Sequence, residues 1–286
     1  MSRILLSLAA FVLTLTSAQA SVVINETNFP DENLRNCASE YDEDGNGTLS
    51  DAELATITSI NAGGILNLKG AEHFKNLEEL LLWGYSEEES IREIDPSMFP
   101  KLYRFSLGEC NGVTVLDFSR NTMFETIELS RCSNVQALSL PTSVKEIQLF
   151  GAPKLTALDV SRLPNLIGLW LQHTGITDLD FSNHPAIQLV SIQGGEDAVD
   201  KMNSLNLQNC ATLENVDIRY TTIKSLSMKH LPIVRTLMML NNDITTITID
   251  DCEEFNDITC DHNVLCTLSL TNNPALRAVN CEDNQI

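Results

Sequence analysis

"LTALDVSRLPNLIGLWLQHTGI", residues 155–176, holds two short apolar ladders in tandem. The second, "LIGLWLQHTGI" (166–176), spells L-x-x-L-x-L-x-x-T-x-I, and the first, "LTALDVSRLP" (155–164), spells L-x-x-L-x-V-S-x-x-P. In an extended L-x-L both leucines fall on one face and the middle residue on the other. The first-class spelling returns in "LENVDIRYTTI" (213–223), "VRTLMMLNNDI" (234–244), "FNDITCDHNVL" (255–265) and "LRAVNCEDNQI" (276–286). The second returns in "ITDLDFSNHP" (176–185) and "LCTLSLTNNP" (265–274). First-class anchors fall at Ile60, Leu80, Phe105, Ile127, Ile147, Leu169, Val190, Val216, Leu237, Ile258 and Val279, which predicts eleven strands with longer intervals at 80–105 and 190–216.

A repeat of about 21 residues with this spelling is the signature of a leucine-rich-repeat solenoid. The expected fold is an α/β solenoid, right-handed and curved, of about 10–11 turns with a parallel concave sheet. Eleven strands at ~4.8 Å spacing give an arc on the order of 50 Å. A parallel β-helix is the structural alternative. The polar residue three places after the second apolar one sits at a sharp bend. There Asn242, Asn263, Asn273 and Asn284 are suited to bond backbone groups that would otherwise be buried unpaired. Thr174, Thr221 and cysteines fill the same slot, while Ala152, His184, Gly195 and Leu231 depart from it.

The register also places the cysteines, eight in all. Cys110, Cys132, Cys210 and Cys252 fall in bend slots, and Cys260 and Cys281 on inward strand positions. A buried thiol behaves as a small apolar group, so a reduced structural role is expected. Cys110 with Cys132, and Cys260 with Cys281, occupy adjacent turns and are the pairs open to oxidation. Cys252, Cys260, His262 and Cys266 mimic a zinc set, but the register points them in different directions.

Upstream of the repeats, "DEDGNGTLSDAE" (42–53) matches D-x-[DN]-x-[DN]-G-x5-E at every place. Asp42, Asp44 and Asn46 offer side-chain oxygens, Thr48 its carbonyl, Ser50 the often water-mediated position, and Glu53 both carboxylate oxygens. Helical patterning on either side, with Leu34, Cys37 and Tyr41 on one face, predicts a helix–loop–helix over 21–56 that covers the first turn of a repeat domain over 57–286. Ser50-x-x-Glu53 is also a capping box, which explains those two residues but not Asp42 and Asp44. Crowded carboxylates are costly unless a cation neutralises them, so structural calcium is the expected cofactor.

Residues 1–20, "MSRILLSLAAFVLTLTSAQA", have the layout of a signal peptide cleaved after Ala20. The expected product is secreted or held at the cell surface or in the periplasm, with no membrane span. Across the chain 39 acidic residues face 18 basic ones, a formal net charge of −21, which argues against nucleic acid as a partner. Motifs for nucleophilic, zinc-protease, phosphate-loop or dinucleotide chemistry are missing from the sequence, so no enzyme is expected.

"INETNFPDENLR" (24–35), "YDEDGNGTLSDAE" (41–53) and "ITSINAGGILNLKGAEHFKNLEEL" (57–80) together resemble the N-terminal region of secreted bacterial leucine-rich-repeat proteins of the internalin-like and BspA-like kind, found in Bacteroidetes and Firmicutes. "LDVSRLPNL" (158–166) and "NPALRAVNCEDNQ" (273–285) resemble the same group. The resemblance implies surface interaction or adhesion and carries no catalytic residue. The chain stops at Ile286 inside a repeat, without a visible sorting module. Middle residues of first-class strands point away from the core. This predicts a protein-binding concave face carrying Trp83, Phe150, Trp170, Gln172, Asp217, Arg219, Met238 and Leu240. The alternative is a glycan-binding module with Trp83, Phe150 and Trp170 as stacking platforms. The large apolar groups also have a packing reading, against each other or under the insertion 194–203.

Overall fold

A computed structural model describes residues 21–85, 90–195 and 200–286. Residues 1–20, read above as a signal peptide, the acidic run 87–89 and most of the insertion's acidic tip lie outside these residues.

The chain opens with β1 (Ser21–Val23), α1 (Glu32–Ser39), β2 (Thr48–Ser50) and α2 (Asp51–Thr56). Asp31 caps α1, its Oδ1 accepting from Leu34 N at 2.9 Å. Its Oδ2 accepts from Leu66 N at 2.7 Å, which ties the helix start to the first solenoid turn. β2 pairs antiparallel with β1, Val22 opposite Leu49, and Leu49 is fully buried. α1 ends at Ser39, before Tyr41, whose hydroxyl reaches out to donate to Ser59 O at 2.8 Å.

From Ser59 on, eleven strands form one parallel sheet in chain order. The eleven anchors read from the sequence stand opposite one another in a single unbroken column. The inward residues Phe105, Ile127, Leu129, Ile147, Leu149, Leu169 and Ile218 are fully or almost fully buried. An apolar pair in one turn is covered only by the turns above and below, so the stack has no core apart from the stacking itself. Aromatic rings fill the early turns: Phe118 stacks on Phe124 at 4.2 Å and meets Phe105 edge-on at 5.0 Å.

The opposite wall changes character along the chain. Early turns cross it as short 3-10 segments (Ala71–His73, Pro96–Met98, Val160–Arg162) or three-residue strands. Asp-x-Ser recurs in four of these turns, at 95–97, 117–119, 159–161 and 180–182, and favours a local bend. Asp95 accepts from Ser97 N, Asp117 from Ser119 N and Asp180 from Ser182 N, at 2.9–3.0 Å, and these local turns compete with strand pairing. In the last turns no Asp stands between the two apolar residues, and the segments read "SLSMK", "TITID" and "TLSLT". There Ser225–Lys229, Thr246–Asp250 and Thr267–Thr271 form a sheet of five-residue strands, while the facing strands shorten to three. With strands on both walls, the same ladder sets the turn spacing on both sides. The C-terminal turns thus take on the two-walled character of the β-helix alternative.

A second regularity governs the corners. Among the described residues twelve non-glycine residues have positive φ, from Glu109 and Arg131 to His262 and Asp283, and each immediately precedes a bend slot. Gly151 does the same before Ala152. The left-handed residue turns the chain inward so that the next side chain enters the core. Neighbouring corner residues then pair across turns: Arg131 with Glu109 at 2.6 Å, His230 with Asp251 at 2.7 Å and His262 with Asp283 at 2.9 Å. His262 is therefore engaged with a carboxylate at the corner, away from the buried Cys252 and Cys260.

Candidate functional site

Bend residues behave as a hydrogen-bond ladder. Asn242 donates to Ile218 O (2.9 Å) and accepts from Thr221 N and Oγ1 (2.8 Å each). Asn273 donates to Ile249 O (3.0 Å) and accepts from Cys252 N (3.1 Å). Cys132 and Cys210 direct their thiols to Leu107 O and Phe181 O, and burial pushes both thiol pKa values up, that of Cys210 to about 11. All eight cysteines carry free thiols. His184, read from the sequence as a departure from the pattern, in fact fulfils it. Its Nε2 donates to Leu163 O (2.9 Å) and Nδ1 accepts from Ile187 N (3.1 Å), an assignment that requires the neutral ring. Burial depresses its pKa and favours that form.

The acidic loop gathers part of its expected set. Carboxylate oxygens of Asp42, Asp44 and Glu53 lie within 4.8 Å of one another. Gly45 and Gly47 are left-handed, with φ of 67° and 79°, which folds the loop so tightly that its own amides reach the carboxylates. Asp42 accepts from Asn46 N (3.1 Å) and Gly47 N (2.8 Å), and Asp44 accepts from Asn46 N (3.1 Å). Asn46 turns its oxygen to Thr48, accepting from N at 2.8 Å and Oγ1 at 2.6 Å. Glu53 is committed to the helix start: Oε2 accepts from Ser50 N and Oγ (2.8 Å each), and Oε1 from Glu43 N (2.9 Å). Ser50's amide and hydroxyl, and then the Glu43 amide, hold its pKa below the usual carboxylate range. Both readings of Ser50 and Glu53 therefore meet in one place. The capping box is formed, and it stands beside Asp42 and Asp44 with no Lys, Arg or His ion-paired to the three carboxylates among the described residues.

On the eleven-strand sheet the eight predicted contact residues sit outward, in neighbouring columns. Trp83 is 41% exposed, and Phe150, Trp170, Gln172, Asp217, Arg219, Met238 and Leu240 are half-buried. Arg219 Nε donates to Asp217 Oδ1 (2.6 Å), Gln193 Nε2 to Asp217 Oδ2 (3.1 Å), and Arg219 Nη2 lies 3.4 Å from Met238 Sδ. Trp170, Ser191, Asp217 and Met238 line a shallow depression of about 340 Å³. Three glycines without a role in the repeat spelling position the indoles. Trp83 lies across Gly63, beside Gly108, and Trp170 lies back over Gly168, where a Cβ would stand 2.5 Å from ring carbons. A Trp facing a Gly across strands, or two places after one, is the signal in the sequence.

No protein-family model matches the sequence, and no curated protein matches it. Solved structures do. The functional domain of InlJ from Listeria monocytogenes, which includes a cysteine ladder, is similar with a TM-score of 0.55 and 17% identity, over 93% of this chain and 72% of that one. The internalin InlF of the same species is similar with a TM-score of 0.55 and 15% identity, over 96% and 81% of the two chains. Internalin C2, also from L. monocytogenes, is similar with a TM-score of 0.52 and 18% identity, over 81% and 98%. At these identities the likeness is one of fold: the chain is a parallel-sheet solenoid that matches the leucine-rich-repeat fold of these internalins.

Proposed function

We propose that this chain is an exported binding module that engages a protein partner through the concave sheet. The observation that carries this reading is the set of outward side chains held on the rigid eleven-strand sheet, with Trp83, Trp170 and Met238 beside an Asp217–Arg219 pair. Large apolar groups rimmed by charge on a solvated sheet are the composition of an interaction surface. Internalins share the fold, which supports adhesion as the setting. Cleavage after Ala20 leaves Ser21, the first residue of β1, as the N-terminus, in keeping with export. The test is affinity capture with wild type, Trp83→Ala and Trp170→Ala proteins. A protein partner retained by wild type and lost from both variants is the expected result. Retention by both variants removes the concave-face assignment, and a glycan array that lights up with wild type favours the sugar-binding alternative, for which the flat indoles are suited.

Calcium in the acidic loop belongs to the same proposal. The donor set is all oxygen with three carboxylates, the chemistry a hard divalent cation takes. Asp42, Asp44, Asn46, Thr48 and Ser50 would hold it together with Glu53, and its role is to neutralise the loop that pins β2 and α2 to the first turn. Glu53 must give up its Ser50 and Glu43 partners to bind, so affinity is expected to be modest and thermal stabilisation near ~2–3 kcal/mol at about a hundredfold excess over Kd. Isothermal calorimetry on chelator-treated protein should show calcium heat that Glu53→Gln reduces at least tenfold in affinity. Equal heats in wild type and variant would place binding elsewhere.

A further inference from the structure

Trp170 occupies the sixth of the eleven strands, and its environment differs from that of the other outward side chains. The ring reaches back over residue 168, which glycine permits: a Cβ there would stand 2.5 Å from two of its ring carbons. The side chain remains half-buried on the outward side of the sheet. Across the ladder Gly168 stands opposite Glu146, and Trp170 opposite Gln148, which in turn stands opposite Glu128. With strands ~4.8 Å apart, the two carboxylates lie one and two strands from the ring. Both are half-buried. Neither takes part in an ion pair among the described residues: Lys145 is spent on Glu125 at 2.7 Å, and Arg219 on Asp217 at 2.6 Å. An outward, half-buried indole beside two uncompensated carboxylates, on a chain of net charge −21, is complementary to one chemistry, a cation with a flat apolar surface.

We infer that the Trp170–Glu128–Glu146 shelf receives an arginine side chain from a basic segment of a protein partner. The guanidinium stacks on the indole and donates from its edge to the carboxylates, which a lysine ammonium does less completely because it lacks the planar fork. This deepens the concave-face reading and rests on it. It also sets a preference between the two occupants considered for that face: a neutral sugar uses the indole but gains nothing from two unpaired charges.

The test uses a fluorescently labelled Arg-Gly repeat peptide, with its Lys-Gly counterpart, in anisotropy titrations of the full mature chain at about 0.15 M salt, where long-range attraction is largely screened. The expected results are tighter binding of the Arg peptide than of the Lys peptide, a loss of about tenfold for Trp170→Ala and for the Glu128→Gln/Glu146→Gln double variant, and retention by Trp170→Phe. Met123→Ala, outside the concave sheet, serves as the control and should bind as wild type. Equal affinity of wild type and Trp170→Ala overturns the shelf. If Trp83→Ala then still weakens the peptide, the concave face survives without this shelf. If neither tryptophan matters, the concave reading fails with it. Binding of neutral oligosaccharides that Trp170→Ala abolishes, with no binding of either peptide, also overturns the proposal. Circular dichroism melts of each variant separate lost binding from lost folding.

Discussion

Asn263→Ala is expected to cost about 3 kcal/mol in urea unfolding, the largest loss of any single bend-residue change in the chain. Asn263 is 7% exposed, and its side chain closes four bonds at one corner. Nδ2 donates to Met239 O (2.6 Å), Cys260 O (3.0 Å) and Asp261 O (3.1 Å), while Oδ1 accepts from Ile244 N (3.3 Å). Each bond is worth roughly 1 kcal/mol net, and a buried backbone group left without a partner costs roughly 1–3 kcal/mol. Alanine strands groups from two successive turns at once. Because turns communicate only with their neighbours, the lesion also divides the stack, and the strands at Thr267–Thr271 and Ala278–Asn280 should unfold at lower urea than the rest. Asn263→Asp should be at least as damaging, since it replaces the donor facing three carbonyls with an acceptor. Cys132→Ala removes the thiol contact to Leu107 O at 3.2 Å, and should lose about 1 kcal/mol. A loss below about 0.5 kcal/mol for Asn263→Ala would show that water satisfies the corner and that the ladder is not what holds it.

The same residues show how far the sequence can be read. The period-two pattern is local, and burial punishes a one-residue slip by turning every leucine outward, so the spacing alone places all eleven anchors. Bend asparagines are legible for the same reason. Other features depend on what stands in the next turn. His184 replaces asparagine only because Leu163 O and Ile187 N lie on either side of its ring. Glu109, Arg131 and Tyr220 adopt left-handed backbone that their residue types disfavour, imposed by the corner and not by propensity. The posture of Trp170 depends on Gly168, and an apolar outward residue in a pattern says nothing about where its ring reaches. For the acidic loop, the sequence allows two roles for Glu53, and the structure places it in the cap while keeping it beside Asp42 and Asp44. Spacing alone has no means of ranking those two states, because their balance is set by a cation's concentration.

Asp200→Asn is expected to stabilise the protein by about 2 kcal/mol at pH 7.5 and by almost nothing at pH 4. Asp200 lies within the insertion 194–203 and fastens it to the next turn. Its own amide donates to Tyr220 O (3.0 Å), its carbonyl accepts from Thr222 N (3.1 Å), and it bridges to Thr221 in the next turn. That attachment drags a carboxylate inside: the side chain is 6% exposed, and Oδ2 is buried without a hydrogen-bond partner among the described residues. His173 Nδ1 stands 4.0 Å from Oδ1, too far for a hydrogen bond, and it too is buried without a partner among the described residues. Burial raises the Asp200 pKa from 3.8 to about 6, against the opposing pull of His173 and the backbone of Thr174 and His173. A folded state that binds the proton more tightly than the unfolded chain is penalised by ionisation. Stability from this group is therefore fully present below about pH 4, declines as pH rises toward about 6, and is flat above it. A shift of about two units corresponds to roughly 3 kcal/mol at most, and asparagine, equal in size and uncharged, recovers most of it. Asp117, Asp178 and Asp250, whose pKa values are lowered by Ser119, Ser204 and Thr271 respectively, act in the opposite sense and lose stability as acid protonates them. They are common to both proteins and cancel in the difference. Urea titrations of wild type and variant at about pH 4.0, 5.5 and 7.5 isolate the Asp200 contribution. A gain independent of pH would trace the effect to packing, and a loss at the highest pH would mean that attraction to His173 outweighs the burial of charge.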